Sequence, residues 1–447
     1  MTADTIFALA SGRGRAGIAV LRVSGPEALG SAKQLTGEDL PVRRATRVMI
    51  IGPESGEVLD QGLALFFPGP ASFTGEDVVE FHVHGGLAVI QGVLEALGRI
   101  AGLRLAEPGE FTRRGFENGK LDLTAAEGLA DLVDAETAEQ RRQALRQMGG
   151  ALAKFSENCR TRLVAALAHW EAAIDFSDEE LPADLELSVM TDISELIRDI
   201  SVRLDDGGSG ERLRHGVEVA IVGPPNAGKS GLLNLLAKRD AAIVSDTAGT
   251  TRDIIEVHFE LGGYPVILAD TAGLRESGDE IEREGVRRAL EQADKADVRI
   301  ILLDGAVWPE VDAETRKLVS KPGLTVINKT DLISHAPPSE INGQKVLAMS
   351  VKTGDGVENM MKALEGIVAE GFQGITAPVV TRHRHRQALN EAREALERFI
   401  HAKERLEMPE LSAEDLRLAG RALGRIAGTV DAEDLLDVIF ADFCIGK

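Results

Sequence analysis

The chain has 447 residues, 44% of them hydrophobic, and a formal net charge of -22, so it is long enough for about three domains with cores of their own. No run approaches the ~20 consecutive apolar residues a membrane span needs, and the first residues lack a basic stretch followed by an apolar one. Two cysteines cannot make a disulfide framework or a cysteine-rich zinc site, and the expectation is a soluble, cytoplasmic protein with no membrane contact. Neither residues 1–119 nor residues 216–376 carry a net positive charge, so bulk electrostatics give no support to nonspecific nucleic-acid binding.

Residues 1–119 are glycine-rich, with strand patterns at 17–23 and 78–83, and predict an independent α/β domain. From 120 to 212 the pattern becomes helical. Leu152, Phe155, Cys159, Leu163, Leu167, Trp170 and Ile174 recur at spacings of three and four, and the Thr124 to Glu127 spacing predicts a capping box at a helix start. Two glycine-rich stretches, 205–210 and 371–378, read as flexible seams. Between them, over 216–376, strand-like runs (217–222, 266–269, 300–303, 324–327, 346–349) alternate with helical patterns (232–238, 286–293, 357–368), which predicts a doubly wound sheet. Helical spacing resumes over 377–447 in Leu389, Ala392, Leu396, Phe399 and Ile400, with a second helix start expected at Ser412 to Asp415. The basic cluster Arg382, His383, Arg384, His385 and Arg386 reads as a solvated helix start in preference to an RNA contact. The fold class is therefore multidomain α/β: an N-terminal α/β domain and a helical domain interrupted by an inserted P-loop domain.

The chemistry concentrates in the insert. Gly223, Asn226, Ala227, Gly228, Lys229 and Ser230 fit GxxxxGK[ST], between a strand and a helix that opens at Gly231. Backbone N–H groups of such a loop cradle phosphates, Lys229 reaches the β and γ oxygens, and the Ser230 hydroxyl suits magnesium. Asn328, Lys329 and Asp331 fit NKxD after an apolar strand. Asp331 would accept from the guanine N1–H and exocyclic amine, favouring GTP over ATP because a buried carboxylate left without donors is costly. Ser350, Val351 and Lys352 resemble the loop that backs the base, and Asp270, Thr271, Ala272 and Gly273 close a strand as a magnesium carboxylate and γ-phosphate contact should. Position 274 is leucine, which cannot orient a water, so the catalytic group must come from 276–284 or from 245–253.

Taken together, the chain resembles the MnmE (TrmE) family of tRNA modification GTPases over its whole length. The residues that carry the likeness are 17–25, 67–77, 84–86, 108–112, 118–123 and 248–253, and the ending Phe443-Cys444-Ile445-Gly446-Lys447. The resemblance implies an N-terminal folate-binding and dimerisation domain (1–119), a helical domain in two parts (120–212 and 377–447) and an inserted Ras-like G domain (216–376). It implies that Arg22, Glu80, Lys120 and Lys447 contact a folate (5-formyltetrahydrofolate or methylenetetrahydrofolate). It also implies that Ser245, Asp246, Thr247, Ala248, Gly249, Thr250 and Thr251 join the GTP site. Within that loop Thr251 would meet Mg2+ beside Ser230, while Asn226, Ser245, Thr247 and Thr250 would hold K+. Glu282 would orient the attacking water. The implied activity is a potassium-stimulated GTPase acting with the FAD protein MnmG in a heterotetramer, adding an aminomethyl-type group to C5 of the wobble uridine (position 34) of certain tRNAs. Cys444 reads either as a chemically active thiol or as an apolar terminal residue. Two other readings stay open at this stage: a GTP-dependent binding switch such as a ribosome-assembly GTPase, and a folate-dependent aminomethyltransferase that needs neither FAD nor tRNA.

Overall fold

The computed structural model describes residues 4–12, 14–175, 184–238, 242–243, 256–270, 295–309, 323–333, 337–341, 344–372, 379–404, 409–430, 436, 439–440, 443 and 446. The chain divides into two compact units. The first takes Met1–Ala130, Gln147–Ile197 and Glu391–Lys447, and the second takes Asp131–Arg146 and Arg198–Asn390. The second unit therefore includes helical residues on either side of 216–376.

The first unit opens with β1 (Thr5–Leu9), β2 (Ala16–Ser24), α1 (Ala28–Thr36), β3 (Thr46–Ile51), β4 (Val58–Phe67), β5 (Val78–Gly85), α2 (Leu87–Gly98), β6 (Leu103–Leu105) and α3 (Glu110–Glu117). The strands form one six-stranded sheet in the order β3-β4-β5-β2-β1-β6. Alternation decides what each face does. Leu21 and Val23 of β2 and Val79, Phe81 and Val83 of β5 are buried against Ala28, Ala32 and Leu35 of α1 and Val93 and Leu97 of α2. Arg22 and Glu80, which alternate with them, lie directly opposite each other on the other face. On β1 the outward residues Ile6 and Ala8 are covered by Phe111 of α3, with Phe73 packed alongside.

Helices follow: α4 (Leu123–Asp134), α5 (Ala138–Met148), α6 (Ala151–Asp175), α7 (Asp184–Leu204) and α8 (Ser209–His215). Thr124, expected to open a capping box, is the second residue of α4. The cap is Asp122, whose carboxylate accepts from Thr124 Oγ1 at 2.6 Å and Ala125 N at 2.9 Å, because a short acidic side chain reaches the unpaired N–H groups of the first turn. In α6 the predicted stripe holds, with Leu152, Cys159, Leu163 and Trp170 buried.

The second unit contains β7 (Val217–Val222), α9 (Lys229–Ala237), β8 (Ala242–Ile243), β9 (Glu256–Leu261), β10 (Tyr264–Asp270), β11 (Val298–Asp304), β12 (Leu324–Asn328), β13 (Glu340–Ile341), β14 (Gln344–Ala348) and α10 (Val357–Glu370). The sheet runs β13-β14-β12-β11-β7-β10-β9-β8. Its centre is parallel from β14 to β10, and β9 and β8 add antiparallel. One face packs on Leu232, Leu233 and Leu236 of α9 and Met360, Leu364 and Val368 of α10. The other face carries a second apolar cluster of Ala220, Val222, Ile301, Leu303, Ile327 and Val346. Burial on both faces is what makes these strands nearly continuous apolar runs in the sequence. The helix expected at 286–293 lies outside the described residues.

The chain ends in α11 (His383–Glu404) and α12 (Pro409–Ala427). Ser412, expected at a helix start, lies one turn inside α12, where it is buried and accepts from Trp170 Nε1 at 3.1 Å. Pro409, which needs no N–H partner, occupies the first helical position instead. Arg382 and Arg386 are not solvated. Arg382 pairs with Asp131 at 2.7 Å, Arg386 pairs with Asp206 at 2.7 Å and Glu211 at 3.0 Å, and His385 is fully buried. The same contacts pin Asp206, so the stretch read as a flexible seam at 205–210 is held from α11 and runs straight into α8.

Candidate functional site

In the second unit the loop after β7 turns into α9 at Gly228, the residue preceding the helix. Gly228 has φ of 100°, and a Cβ there would stand 2.2 Å from Asn328 Nδ2, so only glycine fits. Asn226 adopts φ of 61°, a left-handed conformation that asparagine tolerates. Lys229 Nζ donates to the carbonyls of Gly223 at 2.8 Å and Pro224 at 3.0 Å, an ammonium held inside its own loop. Ser230 follows in the first turn of α9. Asp270 ends β10 directly opposite Ile221 of β7, so the loop and the carboxylate-bearing strand end leave the same edge of the sheet, as a magnesium site for Ser230 and Asp270 requires.

Asn328 joins the two loops of this edge. Its Nδ2 donates to Ala227 O at 2.7 Å, and its Oδ1 accepts from Val351 N at 3.0 Å. Lys329 has φ of 62°, and its ammonium pairs with Asp304 at 2.7 Å. Ser350 Oγ donates to Asp331 Oδ1 at 2.7 Å. That donation holds the Asp331 carboxyl below its ordinary range, with burial opposing and Lys352 and Lys329 assisting. Gly228, Asn328, Lys329, Asp331, Val351 and Lys352 line a cavity of about 360 Å³. The Asp331 side chain is exposed, so the expectation of a buried carboxylate is corrected: the carboxylate stands open and ionised, and a base entering the cavity is what would cover it. Asp304 was missed in the sequence. It ends a parallel strand, the place where such sheets hold ligands, and that position was the signal available.

In the first unit Arg22 Nε and Nη2 donate to Glu80 Oε1 at 3.1 and 3.0 Å, and the guanidinium lies 5.4 Å from the Phe73 ring centroid and 5.7 Å from that of Phe111. Lys120 is exposed, and its stem lies where a Cβ at Gly75, in the same loop as Phe73, would meet it at 3.4 Å. A network missed in the sequence holds that loop. Arg114, 4% exposed, pairs with Glu76 at 3.2 Å, Asp4 at 3.1 Å and Glu110 at 3.0 Å, and Ser24 Oγ donates to Glu76 at 2.8 Å. Ala8, the cross-strand partner of Arg22, forms part of a cavity of about 750 Å³ with Gly12, Gly14, Leu87, Leu94 and Phe443. Phe440 and Phe443 pack with Leu123 and Leu436. Gly446 sits so close to β1 that a Cβ would fall 2.1 Å from Leu9 O. The terminal segment is thus joined to the N-terminal sheet although most of the chain separates them in sequence. Ser245 to Asp253, Thr271 to Glu284 with Leu274 and Glu282, and Cys444, Ile445 and Lys447 lie outside the described residues.

A parallel sheet with a phosphate-type loop at one edge and an NKxD aspartate beside it defines a P-loop GTPase. Residues 123–444 match the MnmE helical domain, and residues 5–120 match the GTP-binding protein TrmE N-terminus. The chain is 55% identical over 444 residues to the tRNA modification GTPase MnmE of Paramagnetospirillum magneticum, covering 99% of this chain and 100% of the relative. It is 56% identical over 447 residues to the protein of that name from Parvibaculum lavamentivorans, with 99% and 100% covered. It is also 46% identical over 472 residues to the mitochondrial 5-taurinomethyluridine-[tRNA] synthase subunit GTPB3 of Danio rerio, with 99% and 93% covered. The chain belongs to the MnmE family of tRNA modification GTPases, and it is a GTP hydrolase that takes part in tRNA modification. No helix among the described residues is long and apolar enough to cross a membrane.

Proposed function

We propose that the chain is a potassium-stimulated GTPase that, with the FAD protein MnmG in a heterotetramer, adds an aminomethyl-type group to C5 of the wobble uridine of certain tRNAs, drawing the carbon from a tetrahydrofolate. The observation that carries this reading is in the first unit: the Arg22 and Glu80 ion pair lies beside the Phe73 and Phe111 rings, and the same unit holds a cavity of about 750 Å³, bounded by α2 and the end of β1, whose wall includes Phe443 of the terminal segment. That volume lies in the range of small-molecule sites, and its apolar lining with few polar groups suits a flat ring system. Arg22 offers a fork to the folate carboxylates, Glu80 an acceptor to the pterin edge, and Lys120 and Lys447 further cations. The domain assignment follows: 1–119 binds folate and dimerises, 120–212 and 377–447 form the helical domain, and 216–376 is the G domain. A relative named as a synthase subunit supports action with a second protein.

In the G domain Asp331 reads guanine, while Asn328, Ser350, Val351 and Lys352 shape the base pocket. Asn226 to Gly231, Ser245 to Thr251 and Asp270 to Gly273 surround the phosphates. Ser230 and Thr251 would hold magnesium, and Asn226, Ser245, Thr247 and Thr250 would hold potassium; the two cations would supply positive charge beside the phosphates. Lys229 leaves the carbonyls of Gly223 and Pro224 for the phosphate oxygens, and Glu282 orients the water that Leu274 cannot. Turnover in potassium should exceed turnover in sodium at equal ionic strength, and equal rates would remove the potassium assignment. Glu282→Ala should lower kcat at least ~100-fold with little change in nucleotide affinity. Calorimetry with 5-formyltetrahydrofolate should show binding by the wild type and none by Arg22→Ala.

A further inference from the structure

Along the outer face of β5, Glu80, His82 and His84 alternate with buried Phe81 and Val83. Both histidines meet a carboxylate, but on different terms. His82 Nε2 lies 3.4 Å from Glu80 Oε2, a long contact to a carboxylate already engaged by Arg22. His84 is held from two atoms at once: its backbone N–H donates to Asp60 Oδ2 at 2.7 Å, and its ring Nδ1 lies 2.8 Å from Asp60 Oδ1. A carboxylate only accepts, so Nδ1 carries a proton, and in the neutral ring this tautomer leaves Nε2 as the basic nitrogen. The Asp60 side chain is 11% exposed and the His84 side chain 71% exposed, so the anchor is enclosed while the basic nitrogen stands open. Burial raises the Asp60 carboxyl, but the His84 hydrogen bonds outweigh it and keep the group ionised.

The backbone bond alone ends the ladder between β4 and β5 and would do so with any residue at position 84. The ring contributes no core packing, because it is exposed. What the ring gains is a fixed tautomer and a fixed direction, the two properties a general base needs. The spacing from Glu80 to His84 is four residues of strand, about 13 Å, on one face of the sheet. Gly85 and Gly86 follow directly, so no side chain from those two positions covers the ring.

We propose that His84 is a proton acceptor in the tRNA modification, with Asp60 as its positioning residue, acting on an amine that attacks the one-carbon unit of a methylene-bridged reduced folate. This rests on the folate reading of Arg22 and Glu80. The amine nitrogen forms a bond to the methylene carbon, and its proton passes to His84 Nε2. One carbon–nitrogen bond of the bridge breaks, its electron pair stays on the folate nitrogen, and that nitrogen takes the proton from His84. No oxidant or reductant is consumed in this step, and Asp60 stabilises the transient imidazolium.

The test uses the full-length chain with its flavoprotein partner, tRNA, GTP and methylenetetrahydrofolate, comparing the wild type with His84→Ala, His84→Gln and Asp60→Asn. His84→Ala should lose at least ~100-fold in modification rate and recover part of it with added imidazole. His84→Gln, which can donate to Asp60 but cannot take a proton, should be equally slow. Asp60→Asn should lie between the wild type and the two His84 variants. Folate affinity by calorimetry and GTP turnover should stay within about twofold throughout, and nitrogen-15 NMR of the wild type should show His84 protonated at Nδ1. Modification within threefold of wild type in both His84 variants, absence of imidazole rescue, or an Nε2-protonated neutral ring would each overturn the proposal while leaving folate binding intact. A wild type that binds no folate would overturn the folate reading and this proposal with it.

Discussion

Asp331 stands exposed at the mouth of its cavity, with Ser350 Oγ donating to it at 2.7 Å. Discrimination against adenine then arises on binding: guanine covers the carboxylate and supplies two donors, whereas adenine would cover it and supply none. Asp331→Ala should weaken GTP roughly 100-fold and narrow the GTP-to-ATP ratio by a similar factor. Ser350→Ala should cost nearer tenfold, because it removes one hydrogen bond to a charged group and leaves the charge in place. Titration calorimetry with both nucleotides measures each, and an unchanged ratio in Asp331→Ala would reassign the base pocket. Asp331 and Asn328 were legible because their motif is contiguous and follows a strand. Ser350, 19 residues from Asp331, was legible from its own loop. Asp304, 25 residues from its partner Lys329, was not, because short-range spacing carries no signal for a pair that only the fold closes.

At the scale of elements, the helices were legible by periodicity and their ends were not. Asp122 in place of Thr124 caps α4, and Arg386 is a clasp residue where a solvated cation was expected. Both outcomes depend on which neighbour reaches an unpaired group. Arg386 draws Asp206 and Glu211 together and also donates to Leu204 O at 2.9 Å. Arg386→Ala would leave Asp206, whose side chain is 7% exposed, as a buried charge without its guanidinium, at a cost of about 2–4 kcal/mol. Urea unfolding of the variant should show that loss, and a change within 0.5 kcal/mol, about the size of an ordinary surface substitution, would count the clasp as inert. In the first unit, burial raises the Glu110 carboxyl, but hydrogen bonds from Arg104, Glu107 N–H and Arg114 outweigh it and hold the group below the ordinary range. A depressed carboxyl contributes stability that is present above its unfolded pKa, near 4.3, and is lost as pH falls through the folded value. Glu110→Gln should therefore destabilise the protein at neutral pH and flatten its loss of stability below about pH 4, which thermal melts across that range would show.

For the whole molecule, the terminal segment is the telling case. Phe443 and Gly446 lie against α3, α4 and the end of β1, in the same unit as Arg22 and Glu80. Deleting residues 444–447 should abolish tRNA modification while leaving GTP hydrolysis within about twofold, read by nucleoside mass spectrometry and phosphate release in parallel. Normal modification by the truncated chain would reduce the tail to a helix terminus. Introducing Ala at Gly446 should produce part of the same loss, since its Cβ has no room beside Leu9 O. The sequence by itself determined the local chemistry: the phosphate loop, the NKxD aspartate, the alternation of strands and helices over 216–376 and the helical stripes around it. Each of these is set by short spacing, by the period of a helix or strand, or by the conformational freedom of glycine, all of which one stretch of chain expresses alone. Only the tertiary structure decided that Asp60 orients His84, that Arg114 holds the Phe73 loop beneath Arg22, that 205–210 is pinned from α11, and that Gly446 returns to β1. These depend on side chains from distant segments meeting where burial makes an unpaired charge or a missing contact costly, and no window of sequence contains both partners.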